Sequence, residues 1–302
     1  MIETPYALTL QTLLATNPNT SALKSGQLTS PLVNFAFADV TIANKAFKAL
    51  VREQKFDLGE LAIVTFLQAK AFGKPYVLMP TVAVARGQHH TIFYNPDRGH
   101  LSPSDLPGRR VGVRAYTQTT GAWVRSFLEE EHGVDFKRVQ WVTFEDPHVA
   151  EFVDPPWVER APAGKELLQM LRDGEIDAAI FGSENPEGGV KPLIPDAEAA
   201  AKRWAASHGG VPINHMMVVK ESVTQVRPDV VREVFRLLQE SQKANPAGGT
   251  GGALRYGVEA VRKSLETIID YSERQGLLPR RLAVDELFND VTRSLGEVTS
   301  TR

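Results

Sequence analysis

The sequence predicts an α/β fold of two lobes, each a mixed sheet flanked by helices, with a ligand cleft between them. Three observations carry this. Strand-like and helix-like segments alternate through the first third of the 302 residues, the pattern of an α/β sheet. A second alternation follows between residues 98 and 211. Strand-and-helix material then returns, so residues 1–97 and 212–302 form one discontinuous lobe around an inserted one. Such clefts close by hinge motion at the crossing segments, expected near Asn95–His100 and Gly209–Asn214.

In order, Tyr6–Leu14 predicts a strand, Asn17-Pro18-Asn19 a turn, Thr20–Gly26 a weak helix and Val33–Ala38 a strand. Asn44–Gln54 follows as a helix with Phe47, Leu50 and Val51 on one face. Phe56–Leu61 is a short strand feeding a helix over Ala62–Ala71, and Pro75–Val84 and Thr91–Tyr94 are further strands. Between these two lies Arg86-Gly87-Gln88-His89-His90, the densest polar cluster of this half. Loops between strands often carry binding groups, but adjacent histidines on extended backbone point to opposite sides and make a poor bidentate metal site.

The central stretch is LPGRRVGVRAYTQTTGAWVRSFLEEEHGVD, Leu106–Asp135. Val111 and Val113 alternate as in a strand. Trp123 with Phe127, and Val124 with Leu128, then recur at helical spacing until Gly133 stops the helix. Thr117, Thr119 and Thr120 crowd the start of that helix, flanked by Arg114 and Tyr116. Threonines here can simply cap the helix, but free N–H groups, the helix dipole and Arg114 together suit an anion.

Val139–Phe144 predicts a strand, Glu145–Pro162 an irregular proline-rich stretch, Lys165–Arg172 a helix and Ile176–Phe181 a buried strand. Ser183 and Glu184 follow at the carboxyl end of that strand, where α/β sheets bind ligands. His215 opens a strand over Asn214–Val219. Helices are predicted over Pro228–Lys243, Leu254–Tyr271 and Val284–Leu295. The glycine-rich Pro246–Gly252 follows a helix and lacks G-K-[ST], so it reads as a flexible connection, not a phosphate loop.

Composition narrows the function. A net charge of -2 gives no electrostatic case for nucleic acid or an anionic membrane surface. The absence of cysteine excludes disulfides, thiolate metal sites and a cysteine nucleophile. No stretch is long enough to span a bilayer, and the acidic N-terminal start has no basic region before an apolar run, so a cytoplasmic location is expected. Homo-oligomer formation is left open.

Several segments together resemble the 4,5-dihydroxyphthalate decarboxylases, which share the fold of type II periplasmic solute-binding proteins. They are FDLGEL at Phe56, RGQHHTIFYN at Arg86, DLPGRRVGVRAYTQTTGAWVRSFLEEEHGV at Asp105, LRDGEIDAAI at Leu171, VPINHMMVV at Val211 and YSERQGLLPRRLAVDELF at Tyr271. The resemblance implies removal of CO2 from a hydroxylated aromatic carboxylate, with no organic cofactor; no residue is assigned as a metal ligand. It implies His89 or His215 as proton donor, because imidazole titrates near neutrality. Glu60, Arg86, Arg114, Tyr116, Thr119, Thr120 and Ser183 would bind the substrate, with Tyr116 and Trp123 as an aromatic wall, although Trp123 lies in an apolar helical stripe and also reads as core. The alternative is a non-catalytic solute-binding or sensing protein for a small carboxylate. A metalloenzyme using His89, His215, Glu60 and Glu184 is a weaker third reading, since no spacing demands it.

Overall fold

The computed structural model describes residues 6–182, 186–245 and 256–296. Within them the chain forms strands β1 (Leu8–Leu13), β2 (Val33–Phe37), β3 (Leu58–Ala62), β4 (Tyr76–Ala85), β5 (Ile92–Tyr94), β6 (Arg110–Val113), β7 (Gln140–Thr143), β8 (Val158–Arg160), β9 (Ala178–Ile180), β10 (Lys191–Pro192) and β11 (Ile213–Lys220). These build two mixed sheets, ordered β2-β1-β3-β11-β4 and β10-β5-β9-β6-β7-β8. In the first, β1 runs parallel to β2 and β3, and the returning β11 is antiparallel to β3 and β4. In the second, β6 lies parallel to β7 and β9 while β5 is antiparallel to β9.

Each sheet is sealed by a helix resting on a strand glycine. A Cβ on Gly59 of β3 would collide with Leu50 of the helix Phe47–Glu53, and one on Gly112 of β6 would collide with Leu167 and Ile176. Only glycine lets these side chains approach the backbone so closely.

Both sheets send a strand into a helix, and the two helix starts meet. β3 runs directly into Ile63–Ala71, while β6 leads through a short loop into Thr119–His132. The Val64 N–H donates to Thr119 Oγ1 at 3.2 Å across the lobes. The C-terminal helix Val258–Arg274 and the residues after it touch both sides. Gln275 accepts from Arg125 Nε and donates to the Ala122 carbonyl of the Thr119–His132 helix, while Gln68 of the first lobe donates to the Leu277 carbonyl.

Most predicted elements appear within a few residues of their expected ends, and Pro228–Lys243 is a helix over that whole span. Four expectations need correction. Val284–Leu295 is not one helix but a 3-10 turn, Val284–Leu287, and a short helix, Asp290–Arg293. Phe288 is extended between them, and the Asn289 side chain accepts from the Thr292 N–H, capping a new start. The proline-rich stretch contains β8, a three-residue edge strand whose prolines mask the pattern. Helix Ala197–His208 has no counterpart in the sequence reading, because only Ala200 and Trp204 are buried and an alanine-rich face shows little periodicity. Finally, β5 hydrogen-bonds into the second sheet, so the chain leaves the first sheet at residues 86–91, not at Asn95–His100. Among the described residues no helix is long and apolar enough to cross a membrane. Ser183 and Glu184, and the loop Pro246–Gly252, lie outside the described residues.

Candidate functional site

Where the ends of β3, β11 and the loop after β6 face one another there is a cavity of about 210 Å³. Its wall brings together Glu60, Arg86, Arg114, Thr119, Thr120 and His215 from the residues singled out by the sequence.

Glu60 and His215 form its polar floor. In the β3–β11 ladder His215 lies opposite Ala62, so Glu60, two residues back on β3, projects from the same face beside it. His215 Nδ1 and Glu60 Oε1 are 2.6 Å apart, and the Ala15 N–H donates to Glu60 Oε2 at 3.1 Å. Burial pushes the Glu60 carboxyl up, but the hydrogen bond and charge of His215, the Ala15 N–H and the Lys24 charge outweigh it and hold it below its ordinary value. An ionised carboxylate only accepts, so Nδ1 of His215 carries the hydrogen and Nε2 is left for a ligand. Glu60 is therefore the buried anchor of the imidazole on the cavity wall.

The opposite wall is cationic and rich in donors. Arg86 donates to the Gly182 carbonyl at 3.0 Å, and burial holds its guanidinium below the usual arginine value. Arg114 reaches Glu145 at 3.4 Å, leaving most of its donors uncommitted. The Thr119–His132 helix begins after Gln118 with no side chain capping its first N–H groups. The cap position is Gln118, whose side chain does not cap, and Thr119 accepts from Val64 of the neighbouring helix, so the first N–H groups of this helix have no side-chain cap. Two arginines and an uncapped helix start make a strong carboxylate cradle.

The sequence reading missed His148. It lies in the loop between β7 and β8, reaches across to the first lobe and lines the cavity, with Nδ1 2.8 Å from Thr65 Oγ1. Burial, and then the positive charges of Arg114, Lys48, Arg52 and His215, push its imidazole down to about 3. A lone histidine in DPHVAEF has no periodic signal, and only the folded loop shows its destination. This depression has a measurable consequence. The unfolded chain takes up a proton on His148 below its ordinary value of 6.5 while the folded chain refuses it until about 3. Stability is thus full above the ordinary value and drains as pH falls through that window, at about 1.4 kcal/mol per pH unit for one proton. Chemical denaturation from pH 7 to pH 4 should give a shallower slope for His148→Gln than for the native chain. Superimposable slopes would mean that the ring is not buried.

Three sequence candidates are elsewhere. His89 is fully buried, stacked on Phe127 at 3.9 Å and bonded to Glu131 at 2.9 Å, not on the cavity wall. Tyr116 is buried under the Arg125 guanidinium, its hydroxyl donating to the Gln275 carbonyl and accepting from Trp157 Nε1. Trp123 is core, donating from Nε1 to the Ile213 carbonyl at 2.9 Å, so neither aromatic forms a cavity wall. The sequence signals for all three were real, but they reported packing. Ser183 lies outside the described residues. Among the described residues no group of three or more histidines and carboxylates is arranged to hold a metal.

The chain is similar to a 4,5-dihydroxyphthalate decarboxylase from Comamonas testosteroni, 34% identical over 206 residues, which are 63% of this chain and 62% of that protein. A 4,5-dihydroxyphthalate decarboxylase from Pseudomonas putida is also 34% identical, over 168 residues covering 51% of this chain and 64% of its own length. The chain thus spans less than two thirds of the curated relatives it matches. No family model matches it. Among solved structures, the periplasmic aliphatic sulphonate binding protein SsuA from Escherichia coli superimposes with a TM-score of 0.61 at 14% identity, covering 95% of this chain and 92% of that one. This likeness shows the fold, that of type II periplasmic-binding proteins, which the two mixed sheets share.

Proposed function

We propose that this chain is a cofactor-free carboxy-lyase that decarboxylates a hydroxylated aromatic diacid such as 4,5-dihydroxyphthalate in the cavity between its two sheets. The observation that carries the reading is the pairing of a carboxylate-anchored imidazole, His215 on Glu60, with Arg86, Arg114 and an open helix start in one small cavity. The similarity to two decarboxylases of that diacid supports the choice of substrate class. A cavity of about 210 Å³ also suits a single ring, being smaller than the roughly 300–1,000 Å³ of most drug-sized sites.

In this mechanism the arginines and helix N–H groups hold the carboxylates, and a ring hydroxyl para to the departing group pushes electron density toward its carbon. The proton on His215 Nε2 joins that ring carbon. The C–C bond then breaks, its electron pair restores the aromatic ring, and CO2 leaves. Glu60 holds the imidazole in orientation and stabilises its charged form, and the ring regains its proton from water. The two-lobe division belongs to this reading, with the expected first boundary at residue 97 moved back to the crossing at residues 86–91, so that β5 falls in the inserted lobe.

The deciding experiment incubates the protein with 4,5-dihydroxyphthalate and follows CO2 and ring absorbance. Turnover is expected. Thermal stabilisation without turnover would replace the enzyme with a binding protein. The carboxylate cradle can be tested separately. Arg114→Ala should weaken diacid binding about 10- to 100-fold, the effect of losing one charge-assisted contact. Thr119→Val removes only a neutral bond and should weaken it less. Calorimetric titration showing unchanged affinity in Arg114→Ala would move the carboxylates away from this wall.

A further inference from the structure

We propose that His148 is the specificity-determining residue for the hydroxylated end of the substrate, its imidazole hydrogen-bonding a ring hydroxyl and Thr65 acting as its positioning residue. This rests on the cavity being the site of decarboxylation.

The placement is built from both lobes. Arg52 of the helix Phe47–Glu53 donates from Nε to the His148 carbonyl at 2.8 Å and from its second nitrogen to the Pro147 carbonyl at 2.6 Å, tying the loop down on both sides of the residue's own backbone. Thr65 fixes one ring nitrogen, and the Phe47 ring packs edge-on against the imidazole at 5.4 Å. The same Phe47 packs edge-on against His215, also at 5.4 Å, so two imidazoles flank one phenyl ring on the cavity wall. A ring held by two contacts on a backbone tied down by two more, with one ring nitrogen free of them, is shaped to meet a ligand atom at a fixed point.

Chemistry selects that atom. Burial, and then the positive groups around it, keep the His148 ring neutral where the arginines stay charged. A carboxylate only accepts hydrogen bonds, and is better served by Arg86 and Arg114. A hydroxyl both donates and accepts, so it pairs with a neutral imidazole whichever ring nitrogen Thr65 leaves bearing the hydrogen. Its two histidines therefore divide the labour. His215, bonded to an ionised carboxylate, handles the proton, and His148, bonded to a hydroxyl, reads another hydroxyl.

The test titrates 4,5-dihydroxyphthalate and phthalate, which differ only in the two hydroxyls, by calorimetry into the His215→Asn protein, which is expected to bind without turnover, and into three variants made on that background. The His215→Asn protein should prefer the dihydroxy diacid. His148→Phe should weaken that diacid about tenfold while leaving phthalate within about twofold, the effect of one hydrogen bond whose partner is gone. His148→Gln, which donates and accepts without charge, should keep most of the preference. Thr65→Val should lose about threefold of it with phthalate again unmoved, a change in ratio that general loosening of the fold would not produce. Should His148→Phe fail to fold, the other two variants decide. Equal weakening of both diacids, or no change in their ratio in any variant, overturns the assignment to His148 alone. If the His215→Asn protein binds neither diacid, the cavity reading beneath it falls as well.

Discussion

Replacing His215 by Asn should abolish most turnover, lowering the rate of CO2 release about 10²- to 10⁴-fold, the usual contribution of a positioned acid or base. The diacid should still bind. An asparagine amide can donate to Glu60 as Nδ1 of His215 does, so the buried carboxylate keeps a partner and the floor of the cavity keeps its shape. What it cannot do is deliver a proton to carbon. The separation of a large loss in turnover from a small change in affinity is the signature of a group that acts mainly in the transition state. Single-turnover assays alongside calorimetry would measure both. A fully active His215→Asn would remove this histidine from the chemistry, and His148 is the other imidazole on the cavity wall.

The second large effect concerns stability. Trp123→Ala should cost about 3–5 kcal/mol, as expected for a fully buried large aromatic. The ring packs edge-on against Trp204 and Tyr271 at 5.5 and 5.6 Å, so its removal opens a cavity among aromatics from three helices. It also orphans the Ile213 carbonyl, the acceptor of its Nε1–H at the first residue of β11, two positions before His215. Denaturation by urea would measure the loss. A change below about 1 kcal/mol would mean that the site collapses or repacks with little penalty.

The fold was largely legible because its strands and helices carry strong periodic patterns and stop signals. Gly133 adopts the left-handed conformation that ends the helix before it, as its position predicted, and Gly174 does the same after Leu167–Asp173. Helix Ala197–His208 was invisible because alanine supplies helix propensity without a stripe. The site was half legible. Arg114, Thr119 and Thr120 are close in sequence at one helix start, and a helix start is a local feature. Glu60 and His215 are 155 residues apart, and only the strand register makes them neighbours. His148 reaches the cavity through a long loop held by Arg52 and Thr65, information no local window contains. His89 misled for the opposite reason, since polar residues in a loop suggest a ligand whereas here the ring is packed face to face with Phe127.

The residues after the C-terminal helix bear on kinetics. Leu277 accepts from Gln68 within its own lobe while Gln275 is bonded into the Thr119–His132 helix of the other, so swinging the lobes apart must rupture the buried bonds between Gln275 and that helix. A jaw strapped in this way is preorganised: ligand binding has little closing motion left to drive, and less ordering entropy is subtracted from affinity. A ligand then passes through local breathing of the loops around the cavity, and the residence time of a tight one is set by that narrow gate rather than by the opening of the whole molecule.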